Sequence, residues 1–170
     1  MSNSIKKAAC CCQKDFLGQQ QTPSNILFVC TGNTCRSPMA EVLAKSIFET
    51  HGIIATIYSA GVSTGDGYPA SENAVLAMQE QDLDLQTHKS KQISREILNN
   101  AHLVLTMTQG HLNVVQTICP QSNAFTLSEY AMRSGDVSDP YGGNLQTYRN
   151  CALQIRQLIW DSIAKIKEIL

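Results

Sequence analysis

Neither sign of charge is in excess in this sequence: 13 Lys and Arg stand against 14 Asp and Glu, a formal net charge of −1. That balance leaves no basic footprint for nucleic acid or an anionic membrane, so a partner has to be recognised locally. Long apolar runs are missing too. No stretch approaches the roughly 18 residues of a membrane span, and the first residues lack the apolar core of a secretory signal. The expectation is a cytoplasmic chain. Its seven cysteines are an odd number, and without a secretory signal they read as thiols rather than a disulfide framework. With 170 residues and 43% hydrophobic content, one compact domain with an adequate core is expected, and two would be cramped.

Residues 1–24 are rich in Gln, Ser and Lys and carry the triplet Cys10-Cys11-Cys12. They read as a flexible extension with oxidation-prone thiols. Metal binding is the weaker reading because no His or second Cys pair stands nearby at ligand spacing, and lipidation is a weak third.

The chain is organised around residues 25–41, Asn-Ile-Leu-Phe-Val-Cys-Thr-Gly-Asn-Thr-Cys-Arg-Ser-Pro-Met-Ala-Glu. The uninterrupted apolar run Ile26 to Val29 suits a strand buried on both faces of a parallel sheet, which leaves Cys30 at the strand end. Ser37-Pro38 then opens an apolar pattern at helical spacing, with Pro38 in the first turn where its missing N–H costs nothing. A tight loop between strand and helix directs its backbone N–H groups and the positive helix end into one hollow, and Gly32 and Asn33 permit the dihedrals required. Such an anion cradle stabilises a thiolate. Arg36, after Cys30 and five intervening residues, can hold two phosphoryl oxygens with its planar fork, and Ser37 can donate to the thiolate. A merely structural cysteine would require none of these neighbours.

These residues resemble the signature loop of the low-molecular-weight protein tyrosine phosphatase family, and Thr34 brings the loop nearest to its bacterial protein-arginine phosphatase branch. The resemblance begins at about Asn25 and implies an α/β fold: a single domain over residues 25–170 with a four-stranded parallel sheet flanked by helices, Rossmann-like. Alternating strand and helix signals agree with it. Strands are expected over Ile53 to Ser59, His102 to Met107 and Ala124 to Leu127. Ser59-Ala60-Gly61 resembles a family turn. Helices are expected over Ser71 to Gln81, from a Ser94 cap through Asn99, from a Thr108 cap through His111, Leu112, Val115 and Ile118, and along the stripe Leu145, Tyr148, Ala152, Ile155, Ile159, Ile163, Ile166 and Leu170. Gly65-Asp66-Gly67 imitates a dinucleotide fingerprint but does not join a strand directly to a helix. His88, in a polar connection, is expected to be structural.

By the same resemblance Asp139, in the turn Asp136 to Gly143, is the general acid. Cys30 is then the nucleophile and Arg36 the phosphoryl-binding cation. Thr31, Gly32, Asn33, Thr34, Cys35, Ser37 and Tyr141 complete the substrate site, with Tyr141 as a wall. Cys35 matches the family's second loop cysteine, which can capture an oxidised nucleophile as a disulfide; packing behind the loop is its other reading. No metal or cofactor is called for, since Arg36 and the loop amides supply the charge stabilisation. The expected activity is hydrolysis of phosphorylated proteins through a phosphocysteine, on phosphoarginine because Thr34 replaces the branched aliphatic residue that clamps a phenyl ring in tyrosine-specific relatives. Asp136 or Asp139 is expected to attract the guanidinium. A tyrosine phosphatase is the alternative. An arsenate reductase lacks its downstream cysteine pair here, as Cys119 and Cys151 lie far apart, and a silent phosphoprotein-binding module would not need both Cys30 and Asp139. A monomer is expected.

Overall fold

The computed structural model describes residues 24–169; Leu170 and the Cys10 to Cys12 triplet lie outside the described residues. In chain order the elements are β1 (Ser24–Cys30), α1 (Arg36–Thr50), β2 (Ala55–Gly61), α2 (Glu72–Gln79), α3 (Arg95–Asn100), β3 (Leu103–Thr106), α4 (Gln109–Ile118), β4 (Ala124–Thr126), α5 (Leu127–Tyr130) and α6 (Leu145–Ile169). The four strands form one sheet in the order β2-β1-β3-β4, every pairing parallel. This is a single-domain α/β fold of the expected kind.

β1 is apolar without alternation because both of its faces are covered. Ile26, Phe28 and Cys30 pack with α1 and α6 on one side, while Leu27 and Val29 pack with Leu98, Leu112 and Val115 on the other. All four residues from Ile26 to Val29 are fully buried, at about 1.5–3 kcal/mol for each large side chain removed from water. The site strand is therefore firmly held. Ser94 and Thr108 cap α3 and α4 through their side chains. α6 buries Tyr148, Ala152, Ile155, Ile159, Ile163 and Ile166 of the apolar stripe.

Several boundaries differ from the sequence reading. β2 starts at Ala55, where the register opposite Ser24 begins, and runs through Gly61, which pairs with Cys30. Ser59-Ala60-Gly61 is thus strand rather than turn, and Ile54 is left exposed. Gly61 passes so close to the cradle that a Cβ there would lie 2.6 Å from the Thr31 carbonyl oxygen. α2 ends before Asp82, whose φ is +58°, and it buries Ala74, Ala77 and Met78 while Leu76 is exposed. β4 stops at Thr126, whose hydroxyl accepts from the Glu129 N–H and starts α5. That short helix has too few residues to show a period of its own.

Candidate active site

The loop between β1 and α1 is held by Asn33. Its backbone lies in the left-handed region at φ +52°, which Asn tolerates better than most residues, and its side chain fixes it there. The amide nitrogen donates to Ser37 Oγ and Ser59 Oγ, both at 2.9 Å, and the amide oxygen accepts from the Lys91 N–H at 2.8 Å. The Asn33 carbonyl lies 2.8 Å from His88 Nε2, the structural role expected of that histidine. Glu41 orients Ser59 in turn by accepting its hydroxyl at 2.7 Å.

This frame aims two donors at Cys30 Sγ. The Asn33 N–H lies 3.3 Å from it and Ser37 Oγ 3.0 Å. Because Ser37 Oγ already accepts from Asn33, its own hydrogen is free for the sulfur, which is nearer than the alternative Ala60 carbonyl at 3.4 Å. Both donors would strengthen their hold on any negative charge the sulfur carries during a reaction, since charge-assisted hydrogen bonds are stronger than neutral ones.

Arg36 is buried, yet its Nη2 lies 2.8 Å from Asp139 Oδ2 and 3.4 Å from Thr31 Oγ1. Asp139 arrives on the turn before α6, where its Oδ1 accepts the Tyr141 N–H at 3.2 Å. The Val137 N–H anchors that turn to the Met107 carbonyl just past β3. A cavity of about 220 Å³ opens between the two loops, lined by Cys30, Thr31, Gly32, Thr34, Cys35, Arg36, Asp139 and Tyr141. A thiol, a fixed guanidinium and a half-exposed carboxylate thus share one hollow sized for a phosphoryl group and the start of a side chain.

Asn33 and Ser37 are fully buried and are not among the residues that line this cavity; their side chains act on Cys30 from behind. Asp136 also turns away, its Oδ1 accepting the Gln109 N–H at 2.9 Å at the start of α4, which leaves Asp139 as the carboxylate at the mouth.

Other residues at the site carried no motif. His111 is buried with Nε2 2.8 Å from Thr31 Oγ1; burial, aided by the Arg36 guanidinium, pushes its imidazole down to about 4. Its one signal in the sequence is a polar residue beside the apolar Leu112 on a capped helix. The Cys35 thiol lies 3.3 Å from both Ser71 Oγ and Tyr148 Oη, and burial raises the Tyr148 phenol to about 12. Ser71 precedes α2 as expected, but its hydroxyl serves Cys35 rather than a helix N–H. Cys151, behind the Asp139 turn, is raised to about 12 by burial and is an unreactive thiol. Among the described residues no group of three or more His, Cys, Asp and Glu is placed to hold a metal ion, and no helix is long and apolar enough to cross a membrane.

A parallel sheet whose first strand ends in a thiol-bearing anion cradle defines the class, a cysteine-dependent phosphatase, which is a hydrolase. The family model described as low molecular weight phosphotyrosine protein phosphatase matches residues 25–169, and the chain belongs to that family. A protein-arginine-phosphatase of Bacillus subtilis (strain 168) is 39% identical over 147 residues, covering 85% of this chain and 97% of that protein. A low molecular weight protein-tyrosine-phosphatase, PtpB of Staphylococcus haemolyticus, is 40% identical over 135 residues, 79% of this chain and 94% of its own. Among solved structures, a mutant of the arginine phosphatase YwlE with a phosphorylated active-site serine superposes with a TM-score of 0.80 at 38% identity, covering 84% of this chain and 95% of that one.

Proposed function

We propose that this protein hydrolyses phosphoarginine in phosphorylated proteins, with Cys30 as nucleophile, Arg36 as the phosphoryl-binding cation and Asp139 as general acid and base. The observation that carries the substrate is the position of Thr34 and Asp139 on the same cavity as Cys30. A short hydroxyl-bearing side chain leaves room for a planar guanidinium, and a carboxylate at the mouth attracts its charge. The resemblance to arginine phosphatases supports the same reading.

The phosphoryl group enters the cradle and takes the Arg36 fork, parting it from Asp139. The Cys30 thiolate attacks phosphorus; the S–P bond forms as the P–N bond breaks, and protonated Asp139 gives its proton to the departing nitrogen. A water then attacks the phosphocysteine, ionised Asp139 takes a proton from it, and the S–P bond breaks to release inorganic phosphate. The thiolate leaves into the two hydrogen bonds from Asn33 and Ser37, which makes it a better leaving group. Arg36 and the loop amides balance the equatorial oxygens throughout, so the residues present supply the charge stabilisation the transfer needs.

The chain also fits phosphotyrosine in one respect: Tyr141 stands 83% exposed at the cavity rim, where a flat ring can stack on it. Against a tight aryl slot, the following Gly142 has φ +75°, a conformation in which an aromatic side chain would be strained. The deciding experiment is side-by-side turnover of phosphoarginine and phosphotyrosine peptides. A higher kcat/KM on phosphoarginine is expected, and a preference for phosphotyrosine would put the tyrosine reading first. The proposed catalytic unit is residues 25–170, preceded by the extension 1–24, acting as a cytoplasmic monomer without nucleic acid or membrane as partner.

A further inference from the structure

One buried side chain at the site has no part in the reaction described above. His111, on the first turn of α4, does not line the cavity, but it touches Thr31, which does. Its Nδ1 lies 2.9 Å from Thr108 Oγ1, and that oxygen already accepts the His111 backbone N–H. The Thr108 hydroxyl hydrogen is best used on Nδ1, which then accepts and leaves the ring proton on Nε2. In the opposite tautomer the Thr108 hydrogen is left without a partner among the described residues. The Nε2–H then donates to Thr31 Oγ1 at 2.8 Å. The same oxygen accepts from Arg36 Nη2 at 3.4 Å. A hydroxyl oxygen has two lone pairs and one hydrogen. With both lone pairs engaged from the protein side, the Thr31 hydrogen is free for a partner in the cavity that this residue lines. A neutral His111 is needed for this pattern, and its burial beside Arg36 keeps it neutral.

We propose that the Thr31 hydroxyl is a direct hydrogen-bond donor to the substrate phosphoryl group, and that His111 is a positioning residue that fixes its direction by occupying the oxygen's lone pair. The cradle then presents one oriented side-chain hydroxyl beside its backbone N–H groups and the Arg36 fork. This rests on the phosphatase reading but not on the choice between arginine and tyrosine, since the donor faces the phosphoryl group that both substrates share.

The test is a double-mutant cycle on p-nitrophenyl phosphate, with inorganic phosphate as a competitive inhibitor. Wild-type turnover checks the phosphatase reading by itself; its absence would sink that reading before any variant is compared. Thr31→Val keeps the shape of an exposed side chain and should lower kcat/KM about 10- to 100-fold, the usual range for a hydrogen bond to a charged group, and weaken phosphate inhibition. His111→Phe should do the same. The double variant should be no worse than the more impaired single one, because the two residues act as one device. His111→Gln, whose amide nitrogen can reach the same oxygen, should recover most of the activity. Thr31→Val within twofold of wild type in kcat/KM would overturn the donor role. Losses that multiply in the double variant, or His111→Gln no better than His111→Phe, would overturn the positioning role. Thr31→Val also leaves the His111 Nε2–H without its acceptor, so Thr31→Ser, which keeps the hydroxyl for both partners, is the control and should stay within about threefold of wild type. A Thr31→Ser as impaired as Thr31→Val would overturn the donor role, which stays testable in this way even where His111→Phe is unstable.

Discussion

Arg36 Nη2 lies 2.8 Å from Asp139 Oδ2, so the two charged groups of the proposed reaction are each other's partners. The ion pair joins the start of α1 to the turn before α6 and aims the carboxylate into the cradle mouth. It also competes with the phosphoryl group for the guanidinium.

Removing the carboxylate should therefore have two opposite effects. Asp139→Ala should lower kcat by about 100- to 10,000-fold, the usual contribution of a positioned proton donor, while still forming the phosphocysteine. At the same time Arg36 is released, and because the Asp139 end of the pair is half exposed and screened by water the gain in phosphate affinity should be small, about fivefold. Rapid-quench trapping of the intermediate and a phosphate inhibition constant measure the two separately. Unchanged turnover would remove Asp139 from the reaction, and weaker phosphate binding would refute the competition.

Much of this site was legible before folding because it lies in one continuous loop. Cys30, Asn33, Arg36 and Ser37 occur within a single strand-loop-helix unit, and Asn, Arg and Ser are poor core formers that make sense beside that cysteine only around an anion. Asp139 was reached by resemblance, since a turn Asp-Pro has no chemistry of its own until the sheet carries it to Arg36. His111, Ser59, Ser71 and Tyr148 were not assigned to the site. Each is a polar residue whose partner lies 26 or more positions away, and periodicity records only that it sits on an element. The fold itself followed from strand and helix alternation, whereas the ends of β2 and β4 depended on register with neighbouring strands, which no local window contains.

Cys30→Ser should leave the fold intact and abolish turnover, because a serine hydroxyl is not ionised by the same cradle. Arg36→Lys should lose both phosphate affinity and rate, since a point charge cannot reproduce the bidentate fork. Near-normal kinetics in either variant, with contaminating activity excluded, would show that the cradle has been given the wrong nucleophile or the wrong cation.

Cys35 lines the same cavity as Cys30. Peroxide should oxidise Cys30 to a sulfenic acid, which condenses with the Cys35 thiol to a disulfide with loss of water. A thiol reductant should restore activity, and Cys35→Ser should make the damage harder to reverse. Peptide mapping that finds no Cys30 to Cys35 link, with recovery unchanged in the variant, would argue for a packing role alone.

The buried His111 also ties stability to pH. Its folded value of about 4 lies below the ordinary 6.5, so the unfolded chain binds more protons between those values and stability falls as pH drops through that window. Between pH 7 and pH 5 the loss attributable to this group is about 2 kcal/mol. Denaturant unfolding of wild type and His111→Gln at the two pH values measures it as a difference of differences. Equal pH dependence in the two proteins would mean that the imidazole titrates normally in the fold.

Thr34 is the residue on which substrate choice is expected to turn. It lines the cavity beside Cys30, and its Oγ1 lies 3.6 Å from the Cys35 sulfur, so a side chain there meets whatever group follows the phosphorus. Thr34→Ile replaces a hydroxyl with apolar bulk that grips a phenyl ring and crowds a hydrated guanidinium. A change of one or two methylene-sized contacts in a pocket is worth roughly 10- to 200-fold in relative specificity. The ratio of kcat/KM for phosphoarginine and phosphotyrosine peptides should therefore move toward phosphotyrosine by a factor in that range. The ratio is the right measure because errors in active-enzyme concentration cancel and general damage to the cradle affects both substrates alike. If Thr34→Ile leaves the ratio unmoved, discrimination lies at the rim instead, and Tyr141 is the residue to replace next.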